Sequence, residues 1–257
     1  MSAGLFSAPT ETLRFRTLEL RATASCDDAA FVRLSLRAAL AGGADPKSIQ
    51  VYSVGPTRGG WTSHSWRVWW APPSRWRGDM TGPDGQTDVS VVRDDTALVY
   101  YSMQRLMFTN EQVAPDPRWK VAPAPTGIVE LPTIANRHAV FPLLHPPLPE
   151  SEWVFATVAA PEVYEGRVTR HVRATRRAYA ALDDERKASG YWPGVDEYEC
   201  LVDDALQILL RFTAIADGVP VATVSVDDVH VDAQFPTDIF DFVPPPQTRI
   251  AFVARST

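Results

Sequence analysis

Between Glu197 and Asp232 the chain alternates apolar and polar residues through Glu197–Asp203, Leu206–Ala216 and Val219–Asp232, interrupted only by Asp203-Asp204 and Asp217-Gly218. A period of two places successive side chains on opposite faces of a strand, and connections this short join only antiparallel neighbours. Tyr198, Cys200 and Val202 fall on one face of the first run; Leu206, Ile208, Leu210, Phe212 and Ala214 fall on one face of the second. Trp153–Ala159 and Arg167–Arg177 continue the pattern upstream. The sequence therefore predicts an antiparallel meander of long strands as the frame of the chain.

Helical spacing is clearest at one place. Asp27 occupies an N-cap position, Ala30, Phe31, Leu34, Ala38 and Ala41 recur behind it, and Gly42-Gly43 ends the run, which predicts a helix over 27–41. Residues 1–26 read as an N-terminal arm or edge strand, with Leu13, Phe15 and Thr17 alternating with charged or polar neighbours. Ile49, Val51 and Ser53 return to a period of two, and His64–Trp70 is an aromatic strand ended by Pro72-Pro73. Val89 and Val91, a turn at Asp94-Asp95 and then Leu98–Tyr101 form a hairpin signature. Nine prolines between Pro115 and Pro149 stop any long helix or interior strand there. The apolar residues of that stretch, among them Ile128, Val129, Phe141 and Leu144, predict a packed crossover over 110–150, with a short helical segment within Thr126–Ala139. Tyr179–Gly194 is polar and reads as an exposed loop or short helix.

A chain of 257 residues buries roughly three-quarters of its unfolded surface, so it needs no disulfide or metal staple. Its only cysteines, Cys26 and Cys200, form neither a disulfide framework nor a zinc signature. A net charge of −6 argues against a nucleic-acid partner. No run approaches the ~18–20 apolar residues of a membrane span. Glu11, Arg14, Arg16, Glu19 and Arg21 interrupt the space where an export-signal core would lie before Cys26, so a cytoplasmic location is expected.

Common catalytic motifs are missing: no G-x-S-x-G elbow, no phosphate loop, no G-x-G-x-x-G turn, no H-E-x-x-H and no C-x-x-C. Asp228, His230 and Asp232 stand on one face of a strand, a donor set able to hold a divalent metal. A single strand seldom supplies all ligands of a site, so the sequence favours a solvated strand face there and no cofactor is expected. Arg167, Arg170, Arg173, Arg176 and Arg177 form the densest basic stretch; their β-branched neighbours favour a strand, which divides these charges between its faces. Trp61, Trp66, Trp69, Trp70 and Trp76 place five of eight tryptophans within sixteen residues. Such rings serve as ordinary core, as the lining of an apolar cavity, or as a partner surface.

The run Trp66-Arg67-Val68-Trp69-Trp70-Ala71-Pro72-Pro73-Ser74-Arg75-Trp76-Arg77, followed by the Val89–Tyr101 hairpin, resembles the front half of a LolA-like lipoprotein-carrier domain of the kind found in actinobacteria. Tyr164-Glu165-Gly166-Arg167, Glu197–Asp204, Leu209-Leu210-Arg211-Phe212 and Phe240-Asp241-Phe242-Val243-Pro244-Pro245 resemble its second half, so the likeness covers about residues 25 to 247. The LolA and RseB-type superfamily implies a mostly β (α+β) fold. Its curved antiparallel half-barrel wraps around one or more helices and often encloses an apolar cavity. Members of that kind carry acyl chains or act as sensor domains beside anti-sigma factors. The resemblance supplies no catalytic residues. The chain is accordingly read as one half-barrel domain over 27–257.

Two functions stay open. The first is a non-catalytic binder of an apolar small molecule or acyl chain, lined by Trp66, Val68, Trp70, Leu98, Tyr100, Ile208, Leu210 and Phe212, with Met103, Met107 and Phe108 at a flexible rim. The second is a regulatory or protein-interaction module that uses the same aromatics as a docking surface. A metal-dependent enzyme rests only on the Asp228–His230–Asp232 spacing.

Overall fold

The computed structural model describes residues 15–41, 61–72, 74–94, 96–110, 120–121, 153–177 and 194–252. Strand β1 (Leu18–Asp27) leads into helix α1 (Asp28–Ala41). Strands β2 (Trp61–Ala71), β3 (Arg75–Thr81), β4 (Thr87–Arg93), β5 (Thr96–Tyr101), β6 (Leu106–Thr109) and β7 (Lys120–Val121) follow. The remainder is β8 (Trp153–Thr157), β9 (Glu162–Tyr164), β10 (Arg167–Arg176), β11 (Glu197–Asp203), β12 (Leu209–Ala216), β13 (Val219–Val231) and β14 (Arg249–Phe252). The hydrogen-bonded order is β7-β14-β6-β5-β4-β3-β2-β1-β13-β12-β11-β10-β8, with β9 beside β10. The path does not close, and the fold is mostly β, an open antiparallel sheet of half-barrel type as the resemblance implies. β14 is an exception to the antiparallel rule: it runs parallel to both β6 and β7.

Three sequence expectations are corrected by this order. Residues 18–27 are neither an arm nor an edge, because β1 lies between β2 and β13. Arg75–Thr81 is a strand that the sequence reading passed over. The run beginning at Leu206 becomes a strand only at Leu209. The expected strand at 48–54, the proline-rich stretch beyond 121, the helical segment within 126–139 and nearly all of the 179–194 insertion lie outside the described residues.

The chain divides into two compact units, one built from Thr23–Ser63 and Pro142–Asp227, the other from Thr12–Ala22, His64–Phe141 and Asp228–Thr257, besides a short N-terminal stretch of the first. In the first unit the register sets Val172, Cys200, Phe212 and Val224 in one row and Ala174, Tyr198, Ala214 and Ala222 in the next, all buried. The opposite face carries Arg173, which pairs with Glu197 at 3.2 Å and Glu199 at 3.1 Å. One apolar face and one charged face is the mark of an antiparallel sheet that meets water on one side. α1 begins where the Asp27 carboxylate accepts a bond from the Ala30 amide at 3.0 Å, as an N-cap does. Its Ala30 and Leu34 are buried. Gly194, in the left-handed region at φ 78°, is where the chain passes this helix: a Cβ there would stand 3.2 Å from the Leu34 carbonyl oxygen. The Asp217-Gly218 turn has both residues at positive φ, 51° and 73°, the type I′ geometry that suits a two-residue hairpin.

In the second unit, β2 to β5 stack their side chains in rows across the sheet. Trp66, Met80 and Asp88 form one row, Val68, Gly78, Ser90 and Val99 the next, and Trp70, Trp76, Val92 and Ala97 a third. The other face of the same strands holds a cluster of Val89, Val91, Leu98, Tyr100, Met107 and Ile250, against which Phe240 and Phe242 pack. Each of those six side chains contributes about 2 kcal/mol by leaving water, so the C-terminal segment is held by its two phenylalanines and the cluster beneath them. Phe15 meets Trp70 edge-on at 5.4 Å. Trp69 lies on the clustered face with the Arg67 and Arg77 guanidinium groups over its ring at 4.6 and 5.5 Å.

Candidate functional site

The rows of the second unit build a narrow cleft on the face that carries Trp66. Trp66, Val68, Met80 and Val99 form apolar walls, Asp88, Ser90 and Tyr101 supply polar groups, and Asp79 borders the cleft with its side chain alternating to the other face. Gly78 lies in register between Val68 and Ser90, so this row has no side chain at its middle strand. The cleft holds about 320 Å³ of space counted to its open mouth, and the part that a water's centre can reach is about 10 Å³. That interior has room for about one water.

Trp66 is only 7% exposed, and its indole nitrogen is shut off from solvent and meets no acceptor among the described residues. A buried donor without a partner costs about 1–3 kcal/mol, so such a group calls for an explanation. Asp88 is anchored by one oxygen: Oδ1 accepts bonds from the Ser102 amide at 2.8 Å and the Ser102 hydroxyl at 2.6 Å. No bond to Asp88 Oδ2 is found among the described residues. Asp79 is engaged by the Arg77 guanidinium through two bonds of 2.8 and 2.9 Å, so its charge is balanced locally. Burial, with the Asp88 charge added, pushes the Tyr101 phenol up to about 12, so it stays a neutral hydroxyl at physiological pH. The cleft thus joins apolar walls to a carboxylate and two hydroxyls.

The structure distributes the expected lining unevenly. Trp66 and Val68 line the cleft, Trp70 shares their face one row further on, and Phe108 lies on that face opposite Val99. Leu98, Tyr100 and Met107 belong to the opposite face, within the cluster under Phe240 and Phe242, so they form no common lining with Trp66. Met103 sits in the turn after β5 and is exposed. Ile208, Leu210 and Phe212 belong to the other compact unit. Phe212 is in its buried row, Leu210 falls at the bulge where Leu201 pairs Arg211 and Val202 pairs Leu209, and Ile208 is in the preceding turn. Met80, Asp88, Ser90 and Val99 were missed as site residues. Alternation in β4 and β5 marks the last three as one face of a hairpin but does not show which face.

A second, wider groove holds about 800 Å³ of space counted to its open mouth, of which a water's centre can reach about 460 Å³, and is lined by Gln86, Tyr100, Ser102, Arg105, Pro245, Pro246 and Gln247. The Arg105 guanidinium there donates to Gln247 at 3.2 Å. At the candidate metal positions, His230 Nε2 lies 2.8 Å from Asp228 Oδ2. Asp232 has left the strand at φ 55°, and its carboxylate accepts a bond from the Arg16 amide at 2.7 Å. Among the described residues no three His, Cys, Asp or Glu side chains are grouped to hold a metal. The basic stretch on β10 is matched by acids: Arg167 with Asp203 at 2.9 Å, Arg170 with Asp204, and Arg173 with Glu197 and Glu199. Cys26 donates to the Asp28 carboxylate at 3.3 Å, and its thiol is pushed up to about 12 by burial first, then by that bond and the Asp28 and Asp27 charges. Burial does the same to Cys200. No described helix is long and apolar enough to cross a membrane.

No protein-family model matches the chain, and no curated protein does. Similar solved structures exist. An uncharacterized conserved protein from Thermus thermophilus is 10% identical with a TM-score of 0.47, the match covering 95% of this chain and 94% of that one. MucB is 12% identical with a TM-score of 0.49, the match covering 93% of this chain and 62% of MucB. The Pseudomonas aeruginosa protein has also been solved in complex with MucA. A LolA superfamily protein from Nitrosomonas europaea is 6% identical with a TM-score of 0.32, the match covering 93% and 96% of the two chains.

Proposed function

We propose that this chain is a non-catalytic binding protein whose ligand is an apolar small molecule or acyl chain, held in the cleft of Trp66, Val68, Met80 and Val99. The observation that carries this reading is the cleft itself: Trp66, Val68, Met80 and Val99 wall it with apolar side chains, and Gly78 leaves a gap in the row beside them. The edge of the Trp66 ring that lines the cleft supplies apolar contact to such a ligand. Each methylene buried there adds ~0.8 kcal/mol, and because the enclosed part admits about one water, several carbons are buried only where the walls part. Met80, an unbranched and adaptable side chain, is the wall able to yield as the narrow cleft fills.

The docking-surface reading is less well supported, because Trp66, Trp69, Trp70 and Trp76 are 2–7% exposed and so are not presented to a partner. Titrating the purified chain with neutral decyl-chain probes, read by tryptophan fluorescence, tests the proposal. Binding that Trp66→Ala weakens at least tenfold, and that the exposed-site control Trp61→Ala leaves alone, is the expected result. No response to any apolar probe, or equal loss in both variants, overturns it.

A further inference from the structure

Between β13 and β14 the chain runs from Asp232 to Thr248 without regular structure, although β6, β5, β4, β3, β2 and β1 lie between those two strands in the sheet. The segment is therefore a strap across the sheet. Connections of this length are uncommon in compact domains, and those that pack are usually functional. Both ends are fixed. The Asp232 amide donates to the Thr17 carbonyl at 2.8 Å, and its carboxylate accepts from the Arg16 amide at 2.7 Å. At the far end the Thr248 hydroxyl donates to the Pro245 carbonyl at 2.7 Å, and the Arg249 amide donates to the Arg105 carbonyl at 2.8 Å. Asp232 and Gln247, at φ 55° and 66°, make the bends at the two ends. Between 234 and 244 the described backbone-to-backbone bonds are the strap's own turns, from the Ile239 amide to Pro236 and from the Asp241 amide to Asp238.

Side chains alone hold the middle of the strap to the sheet. Phe240 and Phe242, both half-buried, pack on the cluster of Val89, Val91, Leu98, Tyr100, Met107 and Ile250, with the Phe242 ring 5.3 Å from that of Tyr100. The Arg77 guanidinium donates to the Ile239 carbonyl at 3.0 Å, and Arg93 pairs with Asp241 at 2.6 Å. The strap and the strands beneath it, β3 to β6 and β14, all belong to the second compact unit. An apolar floor for two aromatic rings, a donor for a backbone carbonyl and a cation for the acid between the rings make one set of peptide-reading contacts. Asp241 is 60% exposed, so water and salt weaken its ion pair, and no strand pairing has to break for the middle to lift. We infer that the face of β3, β4, β5, β6 and β14 is a docking surface for an extended peptide segment with an acid between two aromatics, which residues 234–244 occupy in cis as an autoinhibitory strap. A tethered segment acts at an effective concentration on the order of millimolar, so a partner segment of the same chemistry gains the face only as the strap lifts. This face and the cleft beside Trp66 lie on opposite sides of the strands and are separate sites.

The test measures binding of a fluorescent peptide of residues 236–246 to the full chain by anisotropy. Phe240→Ala combined with Phe242→Ala frees the face, and this variant is expected to bind the peptide at least tenfold more tightly than the parent does. The Asp241→Asn form of the peptide is expected to bind severalfold more weakly, a difference that about 1 M NaCl removes. Equal binding to variant and parent, or no loss with the asparagine peptide, overturns the inference. Chymotrypsin on the parent decides the matter if the variant folds poorly, because it cuts after Phe240 and Phe242 only while the strap is lifted. Cleavage there without denaturant, much faster than the sheet unfolds, is expected. Cleavage no faster than global unfolding overturns a displaceable strap. A dimer in which two copies exchange straps, detected by sedimentation, assigns the face to a second copy and overturns the partner reading.

Discussion

Asp203 is the residue whose loss the fold should register most sharply. Its side chain is 1% exposed and makes three bonds. Oδ1 accepts from the Ala205 amide at 2.8 Å and the Leu206 amide at 2.7 Å, and Oδ2 accepts from Arg167 at 2.9 Å. The first two bonds form the turn that feeds β12, with Gln207 in the left-handed region at φ 58°. Asp203→Ala removes all three and leaves a buried Leu206 N–H without that partner. Bonds to a charged group are worth about 1.5–3 kcal/mol, and the Arg167 pair, partly open to water, adds less. The sum is a destabilisation of about 3–4 kcal/mol. Asp203→Asn keeps an acceptor where Oδ1 stood and loses only the ion pair, so about 1–2 kcal/mol is expected. Urea unfolding followed by circular dichroism reads both: at a slope near 3 kcal/mol/M, the alanine variant moves the midpoint down by about 1 M and the asparagine variant by half that or less. An alanine variant within 1 kcal/mol of the parent, or equal effects from the two substitutions, refutes the turn as drawn.

Gly194→Ala should cost about 1–2 kcal/mol in the same assay, since an L-residue at φ 78° is strained and its Cβ crowds the Leu34 carbonyl at 3.2 Å. A neutral result removes Gly194 from the account of how the chain passes α1. Cys26 and Cys200, with thiols at about 12 against an ordinary 9.0, hold their protons in the folded chain where the unfolded chain loses them. Their contribution to stability is therefore complete below pH 9 and lost as pH rises from 9 towards 12. Maleimide labelling at pH 8 should be at least a hundredfold slower in the folded chain than in urea, and Asp28→Asn should speed Cys26 but not Cys200. Fast labelling of both in the folded chain contradicts the burial assigned to them.

What the sequence makes legible is local. Asp27 capping α1, the Asp217-Gly218 turn and the hairpin around Asp94 follow from side-chain chemistry within a few residues, and all are found. β3 escaped notice because Arg75–Thr81 carries only Trp76, Gly78 and Met80 as a weak alternating set, with a glycine where an apolar side chain would signal a strand. Leu18, Leu20 and Ala22 alternate well enough to mark a strand, but its place between β2 and β13 depends on residues some forty and two hundred positions away. The site was legible in part for a related reason. Which face of β5 accompanies Trp66 depends on the register accumulated through β3 and β4, and a shift of one residue exchanges the faces. Leu98 and Tyr100 were grouped with Trp66 on hydrophobicity; the register instead pairs Val99 with Ser90, in line with Gly78 and Val68. Leu206 and Ile208 fit the alternation of β12, yet the Asp203 bonds hold them in a turn.

The central claim is that an apolar ligand binds in the cleft beside Trp66, and the Trp66 indole resonance reports a change there directly. In a sample with nitrogen-15 in the indole rings, Trp66→Phe identifies the Trp66 cross-peak by its disappearance. Adding a neutral decyl-chain probe to saturation should then move that peak further than any other tryptophan peak, while Trp61 and Trp153 stay in place. A ligand that binds while the Trp66 peak stays fixed places the site elsewhere and contradicts the account.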